Sequence, residues 1–169
     1  MIKHVRTLQI RHVDAGSCNG CEQELIALTN RYYDIQKHGI DIVASPRHAD
    51  ALLVTGPITD TMARAVEKVW DAIPRPSIRI AFGDCSSGCG PFGEAYASRA
   101  GLDNPDIEIL GCPPNPAQAL WVIKKWMDAH RINGRRYEKI ESGRGQREPT
   151  SPAPKPFYMS WAKARRDET

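Results

Sequence analysis

The chain has 169 residues, enough for one domain with a full hydrophobic core, and a formal net charge of only +3, which demands no nucleic-acid partner. No run of about 18 apolar residues occurs, which excludes a membrane-spanning helix, and MIKHVRTLQIRHVD lacks the apolar core and cleavage site of a signal peptide. A reducing cytoplasmic setting follows, and with it an odd count of 5 cysteines fits a disulfide framework poorly.

Apolar runs alternate with helix-like periods, so the chain reads as an α/β protein. TLQIRHV (7–13) is the first strand. A helix follows from Cys21, with Cys21, Leu25, Leu28 and Tyr32 on one face. DIVAS (41–45) is a short strand. ALLVTG (51–56) is continuous rather than alternating, as in a parallel strand buried on both faces. Only PRHAD separates these two, too little for a parallel crossover of roughly a dozen residues. The 41–45 segment is therefore expected to be antiparallel or outside the main sheet.

Thr59 can cap a helix with Met62, Val66, Val69 and Ile73 on one stripe, ended by Pro74. IRIAFG (78–83) is the next strand, a helix is predicted within 91–100, and IEILG (107–111) is the last strand. Asn115 and Pro116 then form an N-cap and first-turn pair for a helix through about Ala129, with Leu120, Ile123 and Met127 inward. The expectation is a core sheet of four parallel strands flanked by helices, forming one domain over 1–132. The tail 133–169 is rich in Gly, Arg and Pro and reads as an extended segment suited to an acidic partner groove; residues 131–169 carry a net +5 against −2 for residues 1–130.

The cysteines fall at informative places. Cys18 and Cys21 follow the first strand, Cys85 follows the 78–83 strand by two residues, and Cys112 follows the last strand by one. Cys89 shares the Gly-rich turn of Cys85. Thiols from three segments thus gather past the carboxyl ends of parallel strands, where open α/β sheets build their sites. Four thiolates suit zinc or an iron–sulfur cluster. Structural zinc usually takes two close pairs in a small module, whereas one close pair exists here and the domain is large. A thioredoxin-like dithiol accounts for Cys18 and Cys21 but not for Cys85 and Cys112. The pattern favours a 4Fe–4S cluster, with Cys85 better placed than Cys89 for the fourth position.

The other polar residues have plainer readings. Five histidines show no metal-binding spacing. Arg47 and His48 either flank the cluster or occupy a solvated turn. Glu22 and Glu24 suit the positive end of a helix dipole, or serve as proton-relay carboxylates beside a partner. SSGCGPFG has no G-K-[ST] and is not a phosphate loop.

The blocks GSCNGCEQE, ASPRHADALLVTGPIT, AFGDCSSG and LGCPPNPAQAL together resemble the iron–sulfur small subunit of nickel–iron hydrogenases, nearest the membrane-bound, energy-converting branch (group 4). They also resemble the homologous 20-kilodalton subunit of NADH:quinone oxidoreductase (complex I). The resemblance spans roughly residues 8–127 and stops before the tail. It implies a flavodoxin-like fold and one 4Fe–4S cluster on Cys18, Cys21, Cys85 and Cys112, beside the active site of a large subunit. It further implies a ferredoxin-like iron–sulfur subunit as electron partner, membrane contact only through other subunits at the cytoplasmic face, and no catalysis by the chain alone. Two residues between the first cysteines look like hydrogenase rather than complex I, where those cysteines are usually adjacent. Cys89 is extra to the family pattern.

Overall fold

A computed structural model describes residues 7–92, 97–99 and 101–130. Over these residues the chain runs β1 (Leu8–Asp14), α1 (Gly20–Ala27), β2 (Ile40–Ile42), β3 (Ala51–Thr55), α2 (Asp60–Ala72), β4 (Ile78–Phe82), β5 (Ile107–Ile109) and α3 (Pro116–Ala129). Short 3₁₀ turns occupy Ile35–His38 and Pro46–His48. The strands form one sheet in the order β2-β1-β3-β4-β5, and every neighbouring pair is parallel. This is the flavodoxin-like order of a doubly wound sheet.

The apolar pattern explains the layers. All five residues of β3 are buried. Ala51 and Leu53 face a core that includes Leu25 and Leu28 beside α1 and Ala119 and Ile123 on α3. Leu52 and Val54 face the opposite core, against Ala63 and Val66 on α2 and Ile73 at its end. Alternation at period two along a strand with both faces covered gives a continuous apolar run.

The sheet has five strands, not four, and the 40–42 segment is a parallel member of it. The register removes the objection raised by the short link. Ile42 of β2 and Ala51 of β3 both pair with Ile10 of β1, from opposite sides. β2 covers the first half of β1 and β3 the second, so the chain crosses β1 sideways at one level. It never has to travel back along a strand, which is the step that makes parallel crossovers long.

Three local expectations need correction. Tyr32 leaves the helical face, because α1 stops at Ala27 and the Asn30 side chain accepts the backbone N–H groups of Tyr32 and Tyr33. That turn leaves Tyr32 85 % exposed. Of the helix expected within 91–100, residues 93–96 and 100 lie outside the described residues; at its described end Ser98 forms an isolated antiparallel bridge with Thr59 rather than a helical turn. Thr59 does stand at the N-cap of α2, but its hydroxyl lies by Thr61 rather than capping a backbone N–H. Asn115 behaves as expected, its side-chain oxygen accepting from Ala117 N at 2.9 Å and Gln118 N at 3.4 Å. The segment 133–169 lies outside the described residues.

Candidate functional site

Three loops leave the carboxyl ends of β1, β4 and β5 and meet at one edge of the sheet. After β1, the Asp14 carboxylate accepts the N–H groups of Gly16 at 2.9 Å and Ser17 at 2.8 Å, folding the chain back toward the start of α1. This leaves Cys18 exposed at the rim and turns Cys21 inward, where it is 8 % exposed. After β4, the turn is closed by Ser87 N to Gly83 O and Gly88 N to Cys85 O, and Cys85 is buried. After β5, half-buried Cys112 precedes a cis Pro113, buried Pro114 and the cap of α3.

The loops touch through glycines. A Cβ on Gly83 would stand 2.5 Å from Cys21 Sγ, and one on Gly90 would stand 2.4 Å from Cys85 Sγ. Gly83 also has φ +95°, a left-handed backbone that L side chains rarely adopt. A Cβ on Gly20 would sit 3.6 Å from Cys18 Sγ and 3.9 Å from Pro113 on the β5 loop.

Crowding of the thiols is visible in their acidity. Burial pushes the Cys21 thiol up to about 12, and Glu22, Cys85, Cys112 and Cys18 each add to the shift. Cys112 is raised first by burial, then by Cys85, Asp84 and Cys18. Cys85 is raised by burial, against a lowering hydrogen bond from the Phe92 backbone, with Cys18 and Asp84 adding to the rise. The structure thus brings Cys18, Cys21, Cys85 and Cys112 into one another's fields, and the thiol of Cys89 is also raised by Cys85, behind burial, Asp84 and Glu108. Cys89 is exposed, its N–H and Sγ both directed at Asp84 O, at 2.9 Å and 3.5 Å. Among the described residues no three His, Cys, Asp or Glu side chains converge closely enough to share a single metal ion.

A polar network backs the first pair of thiols. Glu22, 8 % exposed, accepts the Ser17 hydroxyl at 2.5 Å and the Thr55 hydroxyl from β3. His12 Nε2 lies 2.9 Å from Thr55 Oγ1 and 3.8 Å from Glu22 Oε1. Burial lowers the His12 pKa, opposed by Glu22 and Asp14 and assisted by Arg11. The helix-dipole reading of Glu22 is therefore incomplete: its carboxylate is tied to the sheet. Ser17, Thr55 and His12 escaped the sequence reading, because their meeting depends on the register of β1 and β3. Asp84 also escaped it, although its place between Gly83 at the strand exit and Cys85 was a usable signal.

Arg47 and His48 are exposed on the 3₁₀ turn that enters β3 at its amino end, away from the loops that carry the thiols. Among the described residues, Ser87 Oγ, buried in the β4 loop, has no hydrogen-bond partner. Among the described residues no helix is long and apolar enough to cross a membrane.

Comparison with known proteins agrees with this layout. The chain is 43 % identical over 118 residues to the probable membrane-bound hydrogenase subunit mbhJ of Pyrococcus furiosus, covering 68 % of this chain and 71 % of that protein. It is 40 % identical over 119 residues to formate hydrogenlyase subunit 7 of Escherichia coli, covering 69 % of this chain but only 47 % of the relative, about half its length. Among solved structures, a chain of the membrane-bound sulfane sulfur reductase, an archaeal respiratory membrane complex, superposes with a TM-score of 0.63 at 30 % identity. That match covers 73 % of this chain and 70 % of the other. The family model described as NADH ubiquinone oxidoreductase, 20 Kd subunit, matches residues 18–126, a stretch that begins at Cys18 and includes Cys21, Cys85 and Cys112. With five parallel strands in the flavodoxin-like order and the thiols at one edge, the chain belongs to that family of oxidoreductase subunits.

Proposed function

We propose that this chain is the electron-transfer small subunit of a membrane-bound hydrogenase or related complex, holding one 4Fe–4S cluster on Cys18, Cys21, Cys85 and Cys112. The observation that carries the reading is the gathering of these four thiols from three loops at one sheet edge. The residues fit such a group. The donors are all soft thiols, Gly83 and Gly90 keep side chains off the sulfurs, and Ser87 offers a hydroxyl with no partner among the described residues.

When bound, the group would accept and release single electrons. The chain's own residues set the conditions for this. Cys21 and Cys85 form a buried floor that keeps water away, while Cys18 stands at the open rim where a partner can approach. The thiols must lose their protons on loading, so loading releases protons and is favoured as pH rises. The chain would act within a multisubunit complex, against a hydrogenase-type large subunit and a ferredoxin-like iron–sulfur subunit, peripheral to the cytoplasmic face of the membrane. The basic tail 133–169 would serve as a docking arm for a neighbouring subunit.

Iron and acid-labile sulfide analysis of the full chain, with EPR of the reduced state, tests the cofactor. Four irons and four sulfides per chain are expected for a cuboidal cluster; stoichiometric zinc without sulfide would overturn the reading. A quinone-reducing complex of the complex I type is the second reading, favoured by the description of the family model. The spacing of Cys18 and Cys21 and the two hydrogenase relatives support the first. Two C-x-x-C pairs in the co-purifying large subunit would decide for nickel–iron, and their absence for quinone.

A further inference from the structure

Asp84 occupies an unusual position between two of the thiol loops. Its N–H donates to Gly111 O at 3.0 Å, and its carboxylate Oδ1 accepts the Gly111 N–H at 2.6 Å. Its own carbonyl accepts the Cys89 N–H at 2.9 Å. One residue therefore closes a reciprocal pair of hydrogen bonds beyond the ends of β4 and β5. It locks the residue before Cys85 to the residue before Cys112. The contact lies just beyond the last paired residues, one step past the backbone bond from Gly83 N–H to Ile109 O at 2.8 Å. Among the described residues no cation lies within ion-pair distance of the carboxylate. The carboxylate belongs to the residue before Cys85 and is bonded to the residue before Cys112, so its charge lies beside both thiol loops.

We propose that Asp84 is a positioning residue that clamps the Cys85 and Cys112 loops in register, and that its negative charge holds the reduction potential of the bound group down. The proposal rests on the assignment of a thiolate-bound iron–sulfur group to this site. The two parts act through different atoms. The clamp needs only an acceptor facing the Gly111 N–H, which an amide oxygen can supply. The electrostatic part needs the negative charge, because reduction adds a further electron to an already anionic thiolate cage, and a nearby anion opposes it.

The pair of variants Asp84→Asn and Asp84→Ala separates these parts in the full chain reconstituted with iron and sulfide. Three quantities are read: iron and sulfide per chain, the rate of iron release to a chelator, and the midpoint potential from an EPR-monitored redox titration. Asp84→Asn is expected to keep wild-type iron content and release rate while its midpoint moves to more positive potential. Asp84→Ala is expected to lose iron content and release what remains several-fold faster. Far-ultraviolet circular dichroism of both variants checks that the sheet has formed. An unchanged midpoint in Asp84→Asn would overturn the electrostatic part, and unchanged release in Asp84→Ala would overturn the clamp. A wild-type chain that takes up no iron and sulfide would instead count against the cofactor assignment itself.

Discussion

The Ser17 hydroxyl donates to the Glu22 carboxylate at 2.5 Å, joining the loop before Cys18 to the turn of helix that carries Cys21. Thr55 donates to the same carboxylate from β3, so Glu22 fastens this loop to the middle of the sheet. Hydrogen bonds to a charged acceptor are worth about 1.5–3 kcal/mol each, and their loss strands buried donors. Glu22→Ala is therefore expected to destabilise the fold by about 2 kcal/mol or more. Glu22→Gln, which keeps an acceptor, should cost less. Urea unfolding of the full chain measures both, and equal stability of the Ala variant and wild type would contradict the bracing role.

His12 gives stability a pH dependence of definite sign. Its environment is Glu22 from α1, Thr55 from β3, and Asp14 and Arg11 from its own strand. Burial dominates, so its folded pKa lies below the ordinary 6.5 and the unfolded chain binds the proton more readily. The contribution is fully present above 6.5 and is lost as pH falls from there through the folded value. The urea midpoint should decline below about pH 6.5, and His12→Gln should remove that part of the decline. A midpoint that rises on acidification through this window would show the opposite shift.

The five cysteines are expected to divide four to one. Replacement of Cys18, Cys21, Cys85 or Cys112 by Ser should abolish or convert the reduced-state EPR signal, whereas Cys89→Ser should leave it nearly intact. Before loading, exposed Cys18 and Cys89 should react first with an alkylating reagent and buried Cys21 last, its thiol being pushed up to about 12. A normal spectrum from Cys85→Ser beside a lost one from Cys89→Ser would exchange the roles of those two residues.

Two glycines near the thiols should respond differently to one added methyl group. At Gly83 the new Cβ would meet Cys21 Sγ at 2.5 Å on a backbone with φ +95°. Gly83→Ala should cost about 1–3 kcal/mol of backbone strain and lower the iron content. At Gly20 the nearest atom would be Cys18 Sγ at 3.6 Å, an ordinary contact, and the residue opens α1. Gly20→Ala should be tolerated, with iron content close to wild type. Parallel iron assays of the two variants check this, and equal iron loss in both would mean that the close approach at Gly83 is not what matters.

Much of this layout is legible in the residues themselves. Ala51–Thr55 announces a strand buried on both faces, and Asn115–Pro116 announces the start of α3, because both signals are local. The thiol edge is legible because parallel strands share a direction, so residues just past three strand ends must meet. What escapes depends on register between distant segments. The length of PRHAD argues against a parallel 40–42 strand only on the assumption that both strands span the same height of the sheet. The meeting of His12, Thr55 and Glu22 needs β1 and β3 aligned so that His12 pairs with Leu53 and Asp14 with Thr55. No spacing rule supplies that alignment. Tyr32 is misplaced by its period because the pattern continues past Ala27 while the backbone, turned by Asn30, does not.

The stagger of β2 and β3 along β1 also bears on how the chain is made. Of the described strands β1 is the first to leave the ribosome, yet it belongs between two others. Ile40–Ile42 can shield only Leu8–Ile10, and Asp14 gains its partner at Thr55, 41 positions later. At synthesis rates of about 5–20 residues per second, the carboxyl half of β1 waits about 2–8 s with its edges unpaired. The thiols of Cys18 and Cys21 wait longer still for Cys112, whose loop is the last of the three to emerge. A nascent chain of this design completes its thiol edge only after the last described strand has been made.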